Sequence, residues 1–97
     1  MKQPAVYIVA SRKNGTLYTG VTSALVRRTW QHRISAVTGF TARYGCKRLA
    51  WYEIHETMES AILREKQIKG GSRAKKIALI VADNPDWNDL WDSIAHP

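Results

Sequence analysis

The sequence has one cysteine, three prolines and no long apolar run among its 97 residues. The single thiol, Cys46, cannot form an internal disulfide, so we expect a reducing compartment, the cytoplasm. The N-terminal segment lacks the cleavage pattern of a signal peptide. The longest apolar run, IALIVA at 77–82, has six residues, whereas a membrane span needs roughly 18. We therefore expect neither a disulfide scaffold nor a membrane protein.

Acidic residues are scarce before position 83. All fifteen Lys and Arg fall in residues 1–82 against four Glu, a net charge of +11, whereas the last fifteen residues carry four Asp and no Lys or Arg. A basic body favours a polyanionic partner, and nucleic acid is the first candidate. A basic but merely solvated surface is the alternative. An anionic membrane is less favoured, because no predicted helix combines a basic face with a large apolar one.

The hydrophobic pattern predicts one domain over residues 1–97, with elements in the order β-β-α-β-α-α-α. Strands are predicted at 5–11, 16–22 and 49–54, helices at 23–37, 58–69 and 73–82, a basic loop at 38–48, and a C-terminal docking helix within 83–97. The first two strands are antiparallel. The predicted fold class is therefore α+β, a small three-stranded antiparallel or mixed sheet flanked by helices.

Helix boundaries follow from capping residues and apolar spacing. The predicted N-caps are Thr22 or Ser23, then Thr57, Ser72 and Asn84. In the first helix, Val26, Trp30, Ile34 and Val37 form one stripe with a spacing near 3.6. In the last segment, Trp87, Leu90, Trp91 and Ile94 repeat as a docking stripe. The four Asp at 83, 86, 89 and 92 make this segment a candidate surface for a protein partner or self-association.

The first two strands are joined by RKNG, whose Asn14-Gly15 pair is a strong hairpin signal. A two-residue loop separates Tyr7 from Tyr18 by roughly 13 Å along the strands. A four-residue loop, 12–15, makes the tyrosines diagonal neighbours at roughly 7 Å. Both registers place the two tyrosines on one face, because side chains alternate along a strand. A shared site requires the longer loop.

Glu65 is unusual because it lies on the apolar stripe of its predicted helix. A carboxylate there is costly unless it is paired or bound to a cation. Its alternatives are a salt bridge to a nearby Arg, an edge position that reaches water, and a metal ligand. Arg28 and His32, four residues apart, fit either a solvated helix face or a phosphate site. Tyr7 and Tyr18, taken alone, fit ordinary strand aromatics.

Taken together, these segments resemble the GIY-YIG nuclease family, especially its small single-domain members. Ala5-Val6-Tyr7 resembles the first triplet, and Tyr18-Thr19-Gly20 resembles the second. Arg28 and His32 follow Tyr18 by ten and fourteen residues, as in the Arg-x-x-x-His helix of the family. Glu65 in AILREKQIK resembles the metal-binding glutamate. The resemblance covers about residues 5 to 82, and its substitutions at 5, 6 and 19 retain both tyrosines and the glycine.

The resemblance implies hydrolysis of DNA phosphodiester bonds. Glu65 would hold one Mg²⁺ or Mn²⁺, Tyr7 would be the general base and Tyr18 would bond the phosphate or water. Arg28, with His32 beside it, would stabilise phosphate charge. Because a free tyrosine has a pKa near 10, Tyr7 needs cationic neighbours or a hydrogen bond to a metal-bound water to act as a base near pH 7. Phosphate contacts are expected from Arg43, Lys47, Arg48, Lys69, Ser72, Arg73, Lys75 and Lys76.

The predicted function is a metal-dependent DNA endonuclease, in DNA repair or recombination. The alternative is a non-catalytic nucleic-acid-binding module on the same fold. A third hypothesis is a basic adaptor for protein partners, which predicts no salt-dependent DNA binding.

Overall fold

A three-stranded antiparallel sheet in the order β2-β1-β3 is the frame of the molecule. The computed structural model describes residues 3–36 and 39–96. Its elements are β1 (Ala5–Ala10), β2 (Leu17–Thr22), α1 (Leu25–Arg33), α2 (Phe40–Tyr44), β3 (Arg48–Ile54), α3 (Met58–Gly70), α4 (Arg73–Asp83) and α5 (Trp91–Ala95). The predicted α+β class and antiparallel sheet are confirmed. Within the described ranges, no helix is long and apolar enough to cross a membrane.

The central strand β1 is buried along its whole length, which explains its continuous apolar sequence AVYIVA. Its side chains alternate between two layers. Val6, Ile8 and Ala10 belong to the cluster that includes residues of α3 and α4. Ala5, Tyr7 and Val9 belong to the opposite cluster, which includes Leu25 of α1, Cys46 and Leu49. Tyr7 is therefore directed to the side of the sheet that α1 covers.

The β1–β2 hairpin has the longer of the two predicted loops. Val9 pairs with Tyr18 and Tyr7 pairs with Gly20, and the Ser11 N–H donates to the Thr16 carbonyl at 3.0 Å. Residues 12–15 form the turn, with Asn14 in the left-handed region at φ 57°, a conformation that Asn tolerates. The four-residue loop is confirmed, and Tyr7 and Tyr18 are diagonal neighbours on one face.

Helix α1 is shorter than predicted, and its predicted cap is wrong. It begins after Ala24 with no side-chain cap, because Thr22 stays paired with Ala5 in the sheet and Ala24 bridges to Gln3. The Thr22 hydroxyl accepts a hydrogen bond from the Ala24 N–H instead. The helix ends before Ser35, whose φ is +56°. The predicted position Val37 lies outside the described residues.

The apolar stripe of α1 does not face the core. Val26, Trp30 and Ile34 are 41%, 44% and 54% exposed, respectively. The buried face instead carries Leu25, Thr29 and His32, spaced at i, i+4 and i+7. Thr29 is satisfied within the helix, because its hydroxyl donates to the Leu25 carbonyl at 2.7 Å. The helix thus places a histidine, rather than an aliphatic residue, against the sheet.

The predicted basic loop at 38–48 contains a helix. Helix α2 is flanked by two glycines with positive φ, Gly39 at 95° and Gly45 at 65°. Gly45 ends the helix in the left-handed conformation, where a residue without a Cβ is favoured. The observed order is therefore β-β-α-α-β-α-α-α, with one helix more than predicted. The loop signal of the two glycines marks the ends of a short helix.

The predicted helix start at Asn84 is also wrong. Asn84 follows α4, and its side-chain amide donates to the carbonyls of Ala50 at 3.0 Å and Asn88 at 2.8 Å. The following residues form a turn, with Trp87 buried at φ 55°, and α5 begins only at Trp91. This segment packs against the sheet through both layers, since Trp87 joins one core cluster and Leu90 and Ile94 pack against the other.

Two other predicted caps are confirmed. Thr57 accepts a hydrogen bond from the Ser60 N–H at the start of α3, and Ser72 accepts one from the Lys75 N–H at the start of α4. The acidic segment also has structural contacts. Asp89 pairs with Arg33, and the Asp83 carboxylate accepts a hydrogen bond from the Trp51 indole at 3.1 Å. Part of the acidic charge therefore anchors the C-terminal segment to the sheet and to α1.

Candidate active site

The centre of the candidate site is a buried hydrogen bond between β1 and α1. The hydroxyl of Tyr7 and Nε2 of His32 are 2.9 Å apart, and both side chains are almost inaccessible to solvent. Tyr7 lies in the middle of β1, and His32 lies on the buried face of α1 near its C-terminal end. The sequence places His32 four residues after Arg28, but it is the packing of α1 that moves this histidine from a solvated face to the interior.

Gly20 makes room for the Tyr7 ring. The two residues are paired across β1 and β2, and a Cβ on Gly20 would lie 2.5 Å from both Cζ and the hydroxyl oxygen of Tyr7. Side-chain atoms do not approach so closely, so any larger residue displaces the ring. Gly20 of the second triplet is therefore needed because the ring of Tyr7, from the first triplet, occupies the space of a side chain at position 20.

Tyr18 also contacts the His32 ring. The ring centroids of Tyr18 and His32 are 5.7 Å apart, and those of Tyr7 and His32 are 5.6 Å apart. Tyr18 is half-buried, so one part of the site is open to solvent. Both tyrosines thus lie next to one imidazole, and this proximity is what the longer hairpin loop predicts.

Arg28 and Glu65 have opposite effects on the pKa of the Tyr7 hydroxyl. The positive charge and N–H groups of the nearby Arg28 guanidinium lower the pKa of Tyr7, and the charge of the Glu65 carboxylate raises it. Arg28 also donates to the Gln31 side chain at 3.3 Å. The structure therefore brings together all five residues that the sequence assigns to catalysis, from β1, β2, α1 and α3.

Burial dominates the electrostatics of the Tyr7–His32 pair. Desolvation raises the pKa of Tyr7 to about 12 despite the Arg28 charge. Desolvation, with Arg28 beside it, lowers the pKa of His32 to about 4. Arg28 is a cationic neighbour that lowers the pKa of Tyr7, but burial outweighs its effect. Both groups are neutral at pH 7, and Nδ1 of His32 has no partner among the described residues.

Glu65 is held at the edge of the site by an ion pair. Its side chain is 15% exposed, and Oε2 lies 3.1 Å from Nζ of Lys69, one turn along α3. A salt bridge to a nearby Arg is one alternative that the sequence predicts for Glu65, and the structure has such a salt bridge with Lys69 instead of an Arg. The apolar stripe around it is only half-buried, since Ala61 and Ile68 are in the core whereas Ile62 is exposed.

The donors present fit a cation that is only partly bound by protein. Within residues 3–36 and 39–96, no three His, Cys, Asp or Glu side chains form a ligand cluster. Among the described residues, Glu65 is the carboxylate whose charge acts on Tyr7, and it offers a hard oxygen donor there. Mg²⁺ is commonly bound by one or two carboxylates, with waters and phosphate oxygens filling its shell. The chemistry of this single carboxylate therefore fits Mg²⁺ or Mn²⁺ together with a phosphate.

Several predicted phosphate-binding residues have structural partners. The Arg73 guanidinium donates to the carbonyls of Asn14 and Gly15 at 2.8 and 2.6 Å, so it ties α4 to the hairpin turn. Arg48 donates to the Trp87 carbonyl at 2.8 Å. Lys69 pairs with Glu65 and Ser72 caps α4, whereas Arg43, Lys47 and Lys75 are exposed and Lys76 is half-buried. Fewer of the predicted phosphate-binding side chains are therefore available to bind a phosphate than the sequence alone indicates.

Phe40 is a residue near the site that the sequence reasoning missed. Its ring centroid lies 6.2 Å from that of Tyr18 and 4.7 Å from that of Tyr44. The signal in the sequence is FTARYGCKR, in which two aromatics alternate with basic residues. The pattern predicts a loop for this segment, and a loop gives the rings no predicted position relative to Tyr18.

Comparisons with known proteins identify the family of this chain. A family model described as the GIY-YIG catalytic domain matches residues 3–78. A UPF0213 protein of Staphylococcus saprophyticus is 34% identical over 80 residues, which is 82% of this chain and 96% of the relative. A UPF0213 protein of Staphylococcus aureus is 35% identical over 75 residues, 77% of this chain and 90% of the relative. The solution NMR structure of a UPF0213 protein from Bacillus halodurans superposes with a TM-score of 0.56 at 28% identity, covering 93% of this chain and 95% of that one. The chain therefore belongs to the GIY-YIG family, as the resemblance of its motifs predicts.

Proposed function

We propose that this protein is a metal-dependent DNA endonuclease that hydrolyses phosphodiester bonds. The observation that carries the proposal is the buried Tyr7–His32 hydrogen bond, with Arg28 and Glu65 acting on the same hydroxyl. Phosphodiester hydrolysis needs a base for water, positive charge on the phosphoryl oxygens and a stabilised leaving group. The five side chains supply groups of these kinds within one small volume.

A purely structural role explains the arrangement poorly. Burying polar groups without full hydrogen bonding costs free energy, and Nδ1 of His32 is such a group. A phenylalanine at position 7 with an aliphatic residue at 32 would fill the same space without that cost. Perturbed pKa values in a cluster of ionisable groups are typical of functional sites. The cost of the Tyr7–His32 pair is therefore an argument for catalysis.

The roles of the chain's residues follow from their charge and protonation. Arg28, always protonated, binds a non-bridging phosphate oxygen. Tyr7 accepts a proton from the attacking water at its hydroxyl oxygen while its own proton moves to Nε2 of neutral His32. The water oxygen bonds to phosphorus as the bond from phosphorus to the 3′ oxygen breaks, and the 3′ oxygen leaves with that electron pair. The proton lost by water is then on His32, which returns it to solvent, and the 3′ oxygen takes up a proton from solvent. Tyr18 positions the phosphate or the water.

Glu65 connects this proton transfer to the metal. A divalent cation bound at Glu65 would supply Lewis-acid stabilisation of the phosphoryl oxygen and the leaving group. Burial raises the pKa of Tyr7, and the charges of Tyr18 and Glu65 act in the same direction, whereas Arg28 lowers it. Arg28 is therefore the residue of this chain that favours loss of the Tyr7 proton to His32.

The second candidate function is a nucleic-acid-binding module without cleavage. The Glu65–Lys69 ion pair favours it, because the pair partly neutralises the carboxylate that the nuclease uses. The net charge of +7 supports DNA binding in either case. The two candidates differ in whether the protein cuts DNA.

Digestion of plasmid, branched and single-stranded DNA with Mg²⁺ or Mn²⁺ tests the proposal. We expect the wild type to cut, and Glu65→Ala and Arg28→Ala to lose at least about 100-fold in rate. Glu59→Ala is the matched control, because Glu59 lies in the first turn of the same helix α3 and is exposed. If Glu65→Ala cuts like Glu59→Ala, the site is wrong. If the wild type shifts DNA in a gel but cuts none, the protein is a binding module.

The cellular role proposed with this activity is DNA repair or recombination. The buried, free Cys46 supports a reducing compartment such as the cytoplasm. Digestion of branched against linear DNA addresses the pathway, because repair and recombination intermediates contain junctions and single-stranded tails.

A further inference from the structure

A row of aromatic rings runs from the buried site to the surface. Beyond Tyr7, His32 and Tyr18, it continues through Phe40 to Tyr44, with centroid distances of 5.6, 5.7, 6.2 and 4.7 Å between successive rings. The inner rings are buried or half-buried, whereas Phe40 is 47% and Tyr44 46% exposed. The open end of the row is therefore directly connected to the candidate catalytic residues.

Two cations accompany the outer part of the row. The Arg43 guanidinium lies 5.6 Å from the Tyr44 ring centroid, and Nζ of Lys69 lies 5.6 Å from the Tyr18 ring centroid. Aromatic faces flanked by positive charge are the pattern used to bind single-stranded nucleic acid, since bases stack on the rings while the cations meet the backbone. Duplex DNA does not offer its base faces, which are already stacked in the helix.

We propose that Phe40 and Tyr44 form a stacking platform for unpaired bases next to the scissile phosphate. The inference rests on the proposed nuclease function and names its substrate class: a DNA strand that is single or has unpaired nucleotides beside the cut. A base on Phe40 lies next to Tyr18, so the adjoining phosphate is directed toward Arg28 and Glu65. Arg43 meets the backbone at the outer end.

A second aromatic pair, the exposed Trp30 and the half-buried Trp91, is a weaker candidate for the same role. The centroids of these two tilted rings are 5.2 Å apart, and Arg33 lies 5.1 Å from the Trp91 centroid. Trp30, however, projects from α1 on the side away from His32, as a two-residue separation on a helix requires. Bases bound there would not deliver a phosphate to Tyr7. Trp30 therefore serves as the control for an exposed aromatic outside the row.

Binding without cleavage tests the platform separately from the nuclease. Fluorescence anisotropy in EDTA compares a labelled 12-nucleotide dT strand with a labelled hairpin duplex of 12 base pairs. We expect Phe40→Leu and Tyr44→Leu each to weaken single-strand binding about tenfold and duplex binding less than about twofold. Leucine keeps the apolar volume and removes the aromatic face. Trp30→Leu should bind both DNAs like the wild type, and circular dichroism checks that every variant is folded.

A base analogue reports stacking itself. A single 2-aminopurine in the dT strand should lose fluorescence on binding the wild type, and Phe40→Leu at saturating protein should restore most of it. Equal losses on strand and duplex, or unchanged quenching in Phe40→Leu, would overturn the platform. These outcomes are independent of cleavage. Selective binding of single strands without cutting would support the platform and contradict the nuclease proposal. Cutting that needs Glu65 but not Phe40 would support the nuclease and contradict the platform.

Discussion

Gly20 lies opposite Tyr7 in the sheet, with the tyrosine ring over the space that a glycine Cβ would occupy. We predict that Gly20→Ala destabilises the fold by about 1–3 kcal/mol, the usual cost of overpacking a core, and that cleavage falls with it because the Tyr7 hydroxyl is displaced. Urea unfolding measures the stability change, and the digestion assay measures the activity.

Gly70→Ala is the matched control for that steric effect. Gly70 ends α3, and a Cβ there meets nothing within 4 Å. Replacing an unstrained helical glycine by alanine reduces the entropy of the unfolded chain, so we expect no loss of stability and a gain of up to about 1 kcal/mol. If the two variants unfolded at the same urea concentration, the close packing of Gly20 against Tyr7 would be contradicted.

Removing the Tyr7 hydroxyl should separate catalysis from packing. Tyr7→Phe keeps the ring and leaves His32 Nε2 without its partner, so we expect a stability cost of about 1 kcal/mol at pH 7 and at least about a 100-fold loss of cleavage. Tyr52, which pairs with Tyr7 across β1 and β3, provides the control Tyr52→Phe, which should cut normally. Normal cutting by Tyr7→Phe would remove Tyr7 from the mechanism.

The alkaline limit of stability should also depend on Tyr7. Its folded pKa is raised to about 12 by burial, above the unfolded value near 10. The buried neutral phenol therefore contributes stability that is present below pH 10 and is lost as pH rises through 12, about 2–3 kcal/mol in total. The unfolding free energy of the wild type should approach or fall below that of Tyr7→Phe over this window. Parallel curves for the two proteins would contradict the raised pKa.

The hairpin and its two tyrosines could be predicted from sequence because the governing signals are local. Strand alternation places Tyr7 and Tyr18 on one face in either register, and RKNG supplies four residues for the turn. The caps Thr57 and Ser72 are likewise predictable, since each bonds an N–H three residues ahead.

The buried face of α1 and the turn at Asn84 could not be predicted, because distant partners decide both. His32 is interior because of Tyr7, 25 residues away. Asn84 has the residue type of an N-cap, yet its amide bonds the Ala50 carbonyl, 34 residues away. Hydrophobic spacing favours Trp30 over His32 as the core residue of α1. The hydrogen bond from His32 to Tyr7 of β1 accompanies the opposite arrangement, with His32 buried and Trp30 exposed.

Acid stability should depend on His32 with the opposite sign to Tyr7. Burial lowers the folded pKa of His32 to about 4, below the unfolded value near 6.5. Its contribution is therefore present above pH 6.5 and is lost as pH falls through 4. Between pH 7 and pH 4 the wild type should lose about 3 kcal/mol more than His32→Gln, measured by urea unfolding at each pH. Equal losses would show that His32 protonates as freely in the folded protein as in the unfolded chain.

The Lys69–Glu65 ion pair should compete with metal binding. A divalent cation that binds Glu65 must displace or share the charge of an ammonium 3.1 Å away, so removing Lys69 makes the carboxylate a stronger ligand. We predict that Lys69→Met lowers the Mn²⁺ dissociation constant severalfold in calorimetric titration without DNA. Lys66→Met, on an exposed position of the same helix, makes the same change in net charge and should leave that constant near the wild-type value. The same Lys69→Met variant should bind single-stranded DNA more weakly, because it loses a cation beside Tyr18.

Tighter Mn²⁺ binding together with weaker DNA binding would show that Lys69 pairs with the Glu65 carboxylate until metal and phosphate bind together. An unchanged Mn²⁺ affinity would show that the ion pair does not affect the metal site.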